Sequence, residues 1–175
     1  ECKKTLLLFG GSQGSLALNQ MMDKMVTYLS IYSIQIIWQT GKHFFKTYNH
    51  HENDNVRIVP FIDNMANAYA SSDLVISRAG AITCSELTVC GKPSILIPFP
   101  AAAGNHQEKN AKALADNGAS IIINEDKVIP DELSSLIQNL LKNNKQLNQM
   151  ANCSKKLGKP NATAIIAKQA LELLQ

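Results

Sequence analysis

The sequence predicts an α/β fold in which about six parallel strands form a doubly wound sheet. Six short runs are rich in Ile, Val and Leu and lack polar alternation, which is typical of strands covered on both faces. Stretches in which apolar residues recur at helical spacing separate these runs. This alternation of strand and helix implies parallel strands joined by right-handed crossovers.

The predicted strands all lie in the first 124 residues. They cover residues 5–9, 34–39, 56–61, 74–77, 94–97 and 120–124. In a parallel sheet of this kind, ligands bind outside the carboxyl ends of the strands. The loops after the first, third, fourth and fifth strands are therefore the candidate functional segments.

The first predicted helix follows from apolar residues at helical spacing, namely Leu18, Met21, Met22, Met25 and Leu29. Further helices are predicted over residues 65–71, 82–90, 105–117, 131–142, 145–157 and 162–174. Pro and Asp at 130 and 131 suit a helix start, and the Gly-Lys-Pro segment at 158–160 is a break. We expect one domain over residues 1–175, because no second domain or internal repeat is visible.

Charge and hydropathy exclude two classes of function. The net charge of +3 is scattered, and no Lys/Arg cluster is interleaved with aromatic residues, which argues against a nucleic-acid partner. No apolar run approaches the ~20 residues of a transmembrane segment. No signal peptide is predicted, because Lys3 and Lys4 lead directly into the first strand. The first residue, Glu1, suggests a fragment, a processed chain or a trimmed chain.

The four cysteines are interpreted as small buried hydrophobes of a reduced, cytosolic protein. They are Cys2, Cys84, Cys90 and Cys153, and none forms a C-x-x-C pair or has a histidine at zinc-ligand spacing. Cys84 and Cys90 are six residues apart on one predicted helix, which places them on different faces.

The loop after the first strand carries three glycines, in the segment GGSQG at residues 10–14. Glycine allows a tight turn and close approach of a ligand, and the following helix start favours a phosphate or a polar sugar group. Ser12 stands where the dinucleotide fingerprint has glycine, and no Gly-Lys-Ser/Thr of a P-loop follows. The alternative is an ordinary strand-to-helix turn.

The loop after the fourth strand repeats this arrangement. Gly80 precedes a helix start, which is a second candidate phosphate site. Glu86 lies about one helical turn beyond Ile82, where its carboxylate could accept hydrogen bonds from both hydroxyls of a ribose. The alternative is a capping box formed by Thr83 and Glu86, which the spacing favours equally. Arg78 could contact a phosphate or pair with a structural carboxylate.

Two further loops offer groups for a sugar and a base. After the fifth strand, Asn105 suits a helix N-cap, and His106, Gln107 and Asn110 cluster at the helix start. Amides and an imidazole suit sugar hydroxyls, and here they are less suited to a metal because no carboxylate pair accompanies them.

After the third strand, the backbone of Ile62 could pair with a base edge that Phe61 or Met65 covers. For these two side chains core packing is the favoured interpretation. The sequence lacks D-x-D, H-E-x-x-H and G-x-S-x-G, which disfavours metal-dependent nucleotide-sugar chemistry and serine hydrolysis.

Taken together and in this order, these segments resemble the MurG family of bacterial UDP-N-acetylglucosamine transferases of peptidoglycan synthesis. The matching segments are GGSQG at 10–14, FIDNM at 61–65, RAGAITCSE at 78–86 and PFPAAAGNHQ at 98–107. The resemblance covers essentially the whole chain but only the C-terminal half of such an enzyme. It implies one Rossmann-like half of a GT-B glycosyltransferase, the half that binds the donor.

The resemblance also implies roles for individual residues. The backbone of Ile62 would recognise uracil, Glu86 would hold the ribose hydroxyls, and Gln107 would contact the N-acetylglucosamine, with His106 and Asn110 as weaker candidates. The diphosphate region would be contacted by Ser12 and by three residues at the second helix start, Ala81, Ile82 and Thr83.

The implied reaction transfers N-acetylglucosamine from UDP-N-acetylglucosamine to lipid-linked N-acetylmuramoyl-pentapeptide, with inversion. It needs no cofactor and no obligatory metal in the donor site. The family's N-terminal domain supplies the acceptor site and the expected general base, so no catalytic residue is assigned here. The full enzyme would be cytoplasmic and peripheral on the inner face of the cell membrane, and this chain alone would be inactive.

Two alternatives stay open. One is the donor-binding catalytic subunit of a split eukaryotic-type UDP-N-acetylglucosamine transferase, which a Met start and a divergent glycine loop would favour; this chain has neither. The other is a non-catalytic UDP-sugar-binding or structural module.

Overall fold

A computed structural model describes residues 3–32 and 34–173. Its six strands form one parallel sheet in the order β3-β2-β1-β4-β5-β6. The strands are β1 (Thr5–Phe9), β2 (Gln35–Gln39), β3 (Val56–Val59), β4 (Leu74–Ser77), β5 (Ser94–Leu96) and β6 (Ser120–Ile122). The strand order reverses between β1 and β4, which is the arrangement of a doubly wound Rossmann-like sheet. The predicted fold class is confirmed.

Eight α-helices lie in the described part of the chain. They are α1 (Leu16–Ile31), α2 (Phe45–Tyr48), α3 (Met65–Ser71), α4 (Ala81–Cys90), α5 (His106–Ala115), α6 (Pro130–Lys142), α7 (Asn144–Leu157) and α8 (Ala162–Glu172). The short α2 and the one-turn 3-10 helix Asn49–His51 that follows it were not predicted. Each spans about a single turn, too short to show a helical repeat of apolar residues.

Several predicted strands are too long at their carboxyl ends. The third ends at Val59 and not at residue 61, because Pro60 has no N–H to give to a sheet. The last two end at Leu96 and Ile122. Residue 174 of the predicted last helix lies outside the described residues, and the helix ends at Glu172.

The sheet is covered on both faces, as the apolar strands predict. Leu6 and Leu8 of β1 pack into a core on one side of the sheet with residues of α1, α6 and α7. Leu7 and Phe9 point to the other face and pack with residues of α3, α4 and α5. Alternation along a single strand thus divides the core into two layers. No side chain of α8 is buried among the described residues.

The interpretation of the cysteines is only partly correct. Cys84 is buried, and this burial raises the pKa of its thiol to about 11. Cys90 is exposed and Cys153 is half-buried, so Cys90 is not a core residue; the prediction that Cys84 and Cys90 lie on different faces is confirmed. Cys2 lies outside the described residues. Within those residues, none of the helices combines the length and apolar character needed to cross a membrane.

Candidate functional site

An open cavity of about 570 Å³ lies at the carboxyl edge of the sheet. It lies where the strand order reverses, so it brings together the loops that follow β1, β4 and β5. Its lining consists of residues from these loops and from the starts of three helices, together with one acidic residue after β6. They are Gly10, Gly11, Gly14, Ser15, Leu16, Ala17, Gln20, Arg78, Gly80, Thr83, Phe99, Gln107 and Glu125.

The glycine loop after β1 is held against the end of β2. Gly14 has a φ of +79° and Gly41 a φ of +88°, conformations that side-chain-bearing residues rarely adopt. A Cβ atom on Gly14 would lie 2.0 Å from the Thr40 carbonyl oxygen, and one on Gly41 would lie 2.1 Å from the Gln13 carbonyl oxygen. Both positions therefore require glycine so that the two backbones can pack together.

Helix α1 begins with a side-chain cap. Its N-cap is Ser15, whose Oγ accepts a hydrogen bond of 3.4 Å from the Leu18 N–H. Ser12, the residue named from the sequence, lies exposed in the preceding turn and is not part of the cavity lining. Ser15 is thus the serine of this loop that faces the cavity.

Helix α4 begins without such a cap. Its N-cap is Gly80, and among the described residues no side chain caps the helix. The N–H groups of its first three residues, Ala81, Ile82 and Thr83, have no partner within the helix. The capping-box alternative for Thr83 and Glu86 is therefore wrong, because Thr83 stands inside the helix and not at its N-cap.

Glu86 is instead tied to the buried Tyr69 of α3. The Tyr69 hydroxyl donates a 2.9 Å hydrogen bond to Glu86 Oε2. Burial first, and the charge of Glu86 second, raise the pKa of Tyr69 well above its usual range. The tyrosine therefore stays protonated and donates, and it fixes the half-buried carboxylate beside the start of α4.

Arg78 joins three of the loops that surround the cavity. Its guanidinium pairs with Glu125 and donates a 2.9 Å hydrogen bond to Ser15 Oγ. It also donates to the carbonyl oxygens of Ile97 and Pro98, and it lies over the Phe99 ring. Of the two roles left open for Arg78, the pairing with a structural carboxylate is the one observed.

The Gln39 side chain joins the glycine loop to the loop after β3. Its Nε2 donates a 2.8 Å hydrogen bond to the Gly11 carbonyl oxygen, and its Oε1 accepts a 3.0 Å hydrogen bond from the Ile62 N–H. The Ile62 N–H therefore already has an acceptor inside the protein. Phe61 beside it is 41% exposed, so the core-packing interpretation of Phe61 is wrong.

The start of α5 holds Gln107 at the cavity. Its Oε1 accepts a 3.0 Å hydrogen bond from the Phe99 N–H, and its two amide hydrogens make no hydrogen bond within the described residues. Asn110 donates to the Ala79 carbonyl oxygen and ties α5 to the loop after β4. Asn105 is the N-cap residue, as predicted, but its left-handed backbone (φ 54°) carries no side-chain cap among the described residues.

The structure thus brings only part of the sequence-predicted set into the cavity lining. Thr83 and Gln107 line it. The other predicted residues do not line the cavity. Ile62 lies in the loop after β3, and the rest lie in the cavity loops or in the helices that follow them, namely Ser12, Ala81, Ile82, Glu86, His106 and Asn110. Their binding roles stay predictions.

Sequence reasoning missed Gln39, Ser15 and Glu125 as parts of the site. A signal for Gln39 existed, since it ends the second strand and Thr-Gly follows it, at the same edge of the sheet as the other candidate loops. Nothing in the local sequence distinguishes Glu125, which approaches Arg78 across 47 residues of chain.

Comparison with known sequences decides the family. The profile of the glycosyltransferase family 28 C-terminal domain matches residues 5–166. The chain belongs to this family. The match begins at β1 and ends within α8, so it includes every loop around the cavity.

Curated relatives extend this result. The chain is 41% identical, over 98% of its length, to a protein of Desulforamulus reducens named UDP-N-acetylglucosamine–N-acetylmuramyl-(pentapeptide) pyrophosphoryl-undecaprenol N-acetylglucosamine transferase. A protein of the same name from Flavobacterium psychrophilum is 38% identical over 99% of the chain. The chain spans about half the length of these relatives, 49% and 47%.

A solved structure shows the same fold. The crystal structure of MurG from Acinetobacter baumannii superposes with a TM-score of 0.87 at 31% identity, over 98% of this chain and 52% of that one. The chain therefore has the Rossmann-like fold of one half of a GT-B glycosyltransferase.

Proposed function

We propose that the chain is the donor-binding half of an enzyme that transfers N-acetylglucosamine from UDP-N-acetylglucosamine to lipid-linked N-acetylmuramoyl-pentapeptide. The observation that carries the proposal is the 41% identity, over 98% of the chain, to a relative with that name. The cavity at the reversal of strand order is the place where doubly wound sheets bind ligands, and its location supports the assignment.

The start of α4 is the proposed diphosphate site. Its first three N–H groups are free of partners within the helix, and they carry the positive end of the helix dipole. Negative charge grows on the diphosphate as its bond to the sugar breaks. Donors that are already in place stabilise that charge without reorganisation, so the helix start would assist departure of UDP. These donors, together with the lack of a D-x-D motif, support a donor site with no obligatory metal.

The uracil would meet the loop after β3, with Glu86 on the ribose. Because the Ile62 N–H is donated to Gln39, the group of Ile62 left for the base is its carbonyl oxygen. A carbonyl accepts the N3–H of uracil, whereas N3 of cytosine is itself an acceptor and would be repelled. Donor preference for uracil over cytosine follows, and Phe61 is exposed enough to cover the base.

The sugar would lie against Gln107. Gln107 lines the cavity, and its two amide hydrogens suit sugar hydroxyl oxygens. The acceptor sugar, the lipid and the general base would belong to the other half of the full enzyme, which would work at the inner face of the cell membrane. Positioning of two reactants supplies much of such catalysis, so we expect no turnover from this chain alone.

Calorimetric titration of UDP-N-acetylglucosamine in EDTA tests donor binding. We expect a dissociation constant on the order of 0.1–1 mM, which is about −5 kcal/mol, because half a cleft makes half the contacts. In ¹⁵N-resolved NMR, the amides of Ala81, Ile82 and Thr83 should shift more than those of Leu16 and Ala17. CDP is the matched control and should bind more weakly.

The proposal fails if neither heat nor amide shifts appear at several millimolar ligand. If binding appears only after Mg²⁺ is added, the proposal that the donor site needs no metal is wrong. Recovery of transfer to a lipid acceptor on addition of the N-terminal half of a relative would separate the transferase from a non-catalytic module.

A further inference from the structure

A second cluster of ligand-type side chains lies away from the cavity. Asp23 projects from the middle of α1, and His50 and His51 end the one-turn 3-10 helix Asn49–His51 before β3. Each residue offers one ligand atom, and these three atoms lie within 4.8 Å of one another. None of the three residues belongs to the cavity lining.

The His50 ring is already oriented for a ligand. Its Nδ1 lies 3.0 Å from the Thr47 carbonyl oxygen. A carbonyl oxygen only accepts, so Nδ1 carries the hydrogen and Nε2 keeps its lone pair. Metal-binding histidines are held in this way, by donation from the second ring nitrogen to a carbonyl or carboxylate.

The His51 ring is held on two sides. It stacks on the buried Trp38 ring at 6.2 Å between centroids and 30° between planes. Its Nε2 lies 2.6 Å from Asp23 Oδ1, and its centroid is 4.0 Å from that of His50. The imidazole is therefore largely preorganised, whereas the Asp23 carboxylate, with 44% of its side chain exposed, is free to adjust.

We propose that His50, His51 and Asp23 form a binding site for a divalent transition-metal ion of the Zn²⁺ class. Two imidazoles and one carboxylate suit Zn²⁺, Ni²⁺ and Cu²⁺, whereas Mg²⁺ and Ca²⁺ prefer sets of oxygen ligands. The inference stands on this cluster alone and does not depend on the proposed donor site.

The three ligand atoms, which lie within 4.8 Å of one another, must move to the spacing that an ion requires. Metal–ligand bonds of about 2.0–2.2 Å at tetrahedral angles place ligand atoms ~3.3 Å apart. The His51–Asp23 pair must open slightly from 2.6 Å so that the ion can lie between the two ligand atoms. A neutral His51 that ligates through Nε2 carries its one ring hydrogen on Nδ1, so the ring changes tautomer through solvent with no net release of a proton, and water completes the coordination. A bound ion would join α1 to the segment before β3.

Trp38 provides a built-in reporter, because it is the single tryptophan of the chain and it stacks on His51. Titration of the 175-residue chain with Ni²⁺ should quench its fluorescence saturably, and Zn²⁺ should displace Ni²⁺ and restore the signal. Mg²⁺ and Ca²⁺ should leave the signal unchanged. Saturable binding of one ion per chain supports the proposal, and a signal that never saturates overturns it.

Three variants complete the test. His50→Gln and Asp23→Asn should each weaken Zn²⁺ binding at least tenfold, since loss of even an outer-shell partner costs about 10–100-fold. His43→Gln removes a histidine outside the cluster and should bind as the wild type does. Melting curves without metal check folding. If His50→Gln is folded and binds Zn²⁺ as tightly as the wild type, the His51–Asp23 contact is a hydrogen bond only and the proposal is wrong.

Discussion

The starts of α1 and α4 lie side by side at the same edge of the sheet, yet they are built differently. Both follow a glycine after adjacent parallel strands. At α1, the Ser15 side chain caps the helix, Arg78 donates to that same hydroxyl, and the glycine loop packs on the end of β2. At α4, Gly80 leaves the first turn uncapped within the described residues, and Ile82 is 76% exposed.

This difference indicates how the work is divided between the two helices. At α1, the cap engages the Leu18 N–H and leaves those of Leu16 and Ala17 without a partner in the described residues, while the glycines of the loop serve close packing. At α4, three N–H groups stay available, so its start is suited to an anion. A glycine before a helix can therefore serve close packing or leave room for an anion. The two roles are distinguished only by the hydrogen-bond partners of the first helical turn.

The largest expected effect contrasts the two glycines. Gly14→Ala should destabilise the fold by about 3 kcal/mol or more, because its Cβ would collide with the Thr40 carbonyl and its φ is positive. Gly80 has a φ of −63°, and a Cβ atom there would meet only Thr83 Oγ1 at 3.9 Å. Gly80→Ala should therefore lower the free energy of unfolding by no more than about 1 kcal/mol. Urea unfolding measures both, and equal losses would contradict the division.

The next effect concerns binding beside α4. Glu86→Gln should weaken UDP by about 1.5–3 kcal/mol, the worth of a charged hydrogen bond to a ribose hydroxyl. Stability should change little, because the Gln carbonyl can still accept from the Tyr69 hydroxyl. Tyr69→Phe is the control. It keeps the Glu86 carboxylate but removes the hydrogen bond that holds it in place, so it should weaken UDP binding less than Glu86→Gln does. A Glu86→Gln variant that loses stability and keeps its affinity would make Glu86 a structural residue.

A smaller effect is expected at Gln107. Gln107→Ala should weaken UDP-N-acetylglucosamine by about 1–2 kcal/mol through loss of its amide donors, and UDP should be unaffected. The preference for UDP-N-acetylglucosamine over UDP-N-acetylgalactosamine should shrink. Titration of the three ligands into both proteins is the measurement. Equal losses for UDP and the sugar nucleotides would place Gln107 at the nucleotide instead.

The smallest effect returns to α1. Ser15→Ala removes a long cap bond of 3.4 Å, so it should cost about 1 kcal/mol of stability. If the diphosphate binds at α4, affinity for UDP should stay within a factor of three. A tenfold loss of affinity with unchanged stability would show that the start of α1 binds the phosphates after all. Thermal melting and calorimetry on the same protein give the two numbers.

Much of the fold follows from local sequence. Two predicted strands, 5–9 and 74–77, match β1 and β4 in full, because runs of apolar residues bounded by polar or glycine residues mark buried strands. The Thr83–Glu86 spacing wrongly suggested a capping box, because the N-cap is Gly80. A spacing of three residues occurs at every position along a helix, so by itself it does not locate the helix start. The exposure of Phe61 and Cys90 was also missed, since their surroundings depend on segments distant in the chain.

The sequence by itself determined the succession of strands and helices along the chain, the parallel sheet and the loops at its functional edge. These features depend on residues that are neighbours in the chain. The tertiary structure decided which side chains meet there. Arg78 with Glu125, Gln39 with Ile62, and Asp23 with His51 are pairs separated by 47, 23 and 28 residues. Such contacts arise only after the crossovers set the strand order, so no local pattern specifies them.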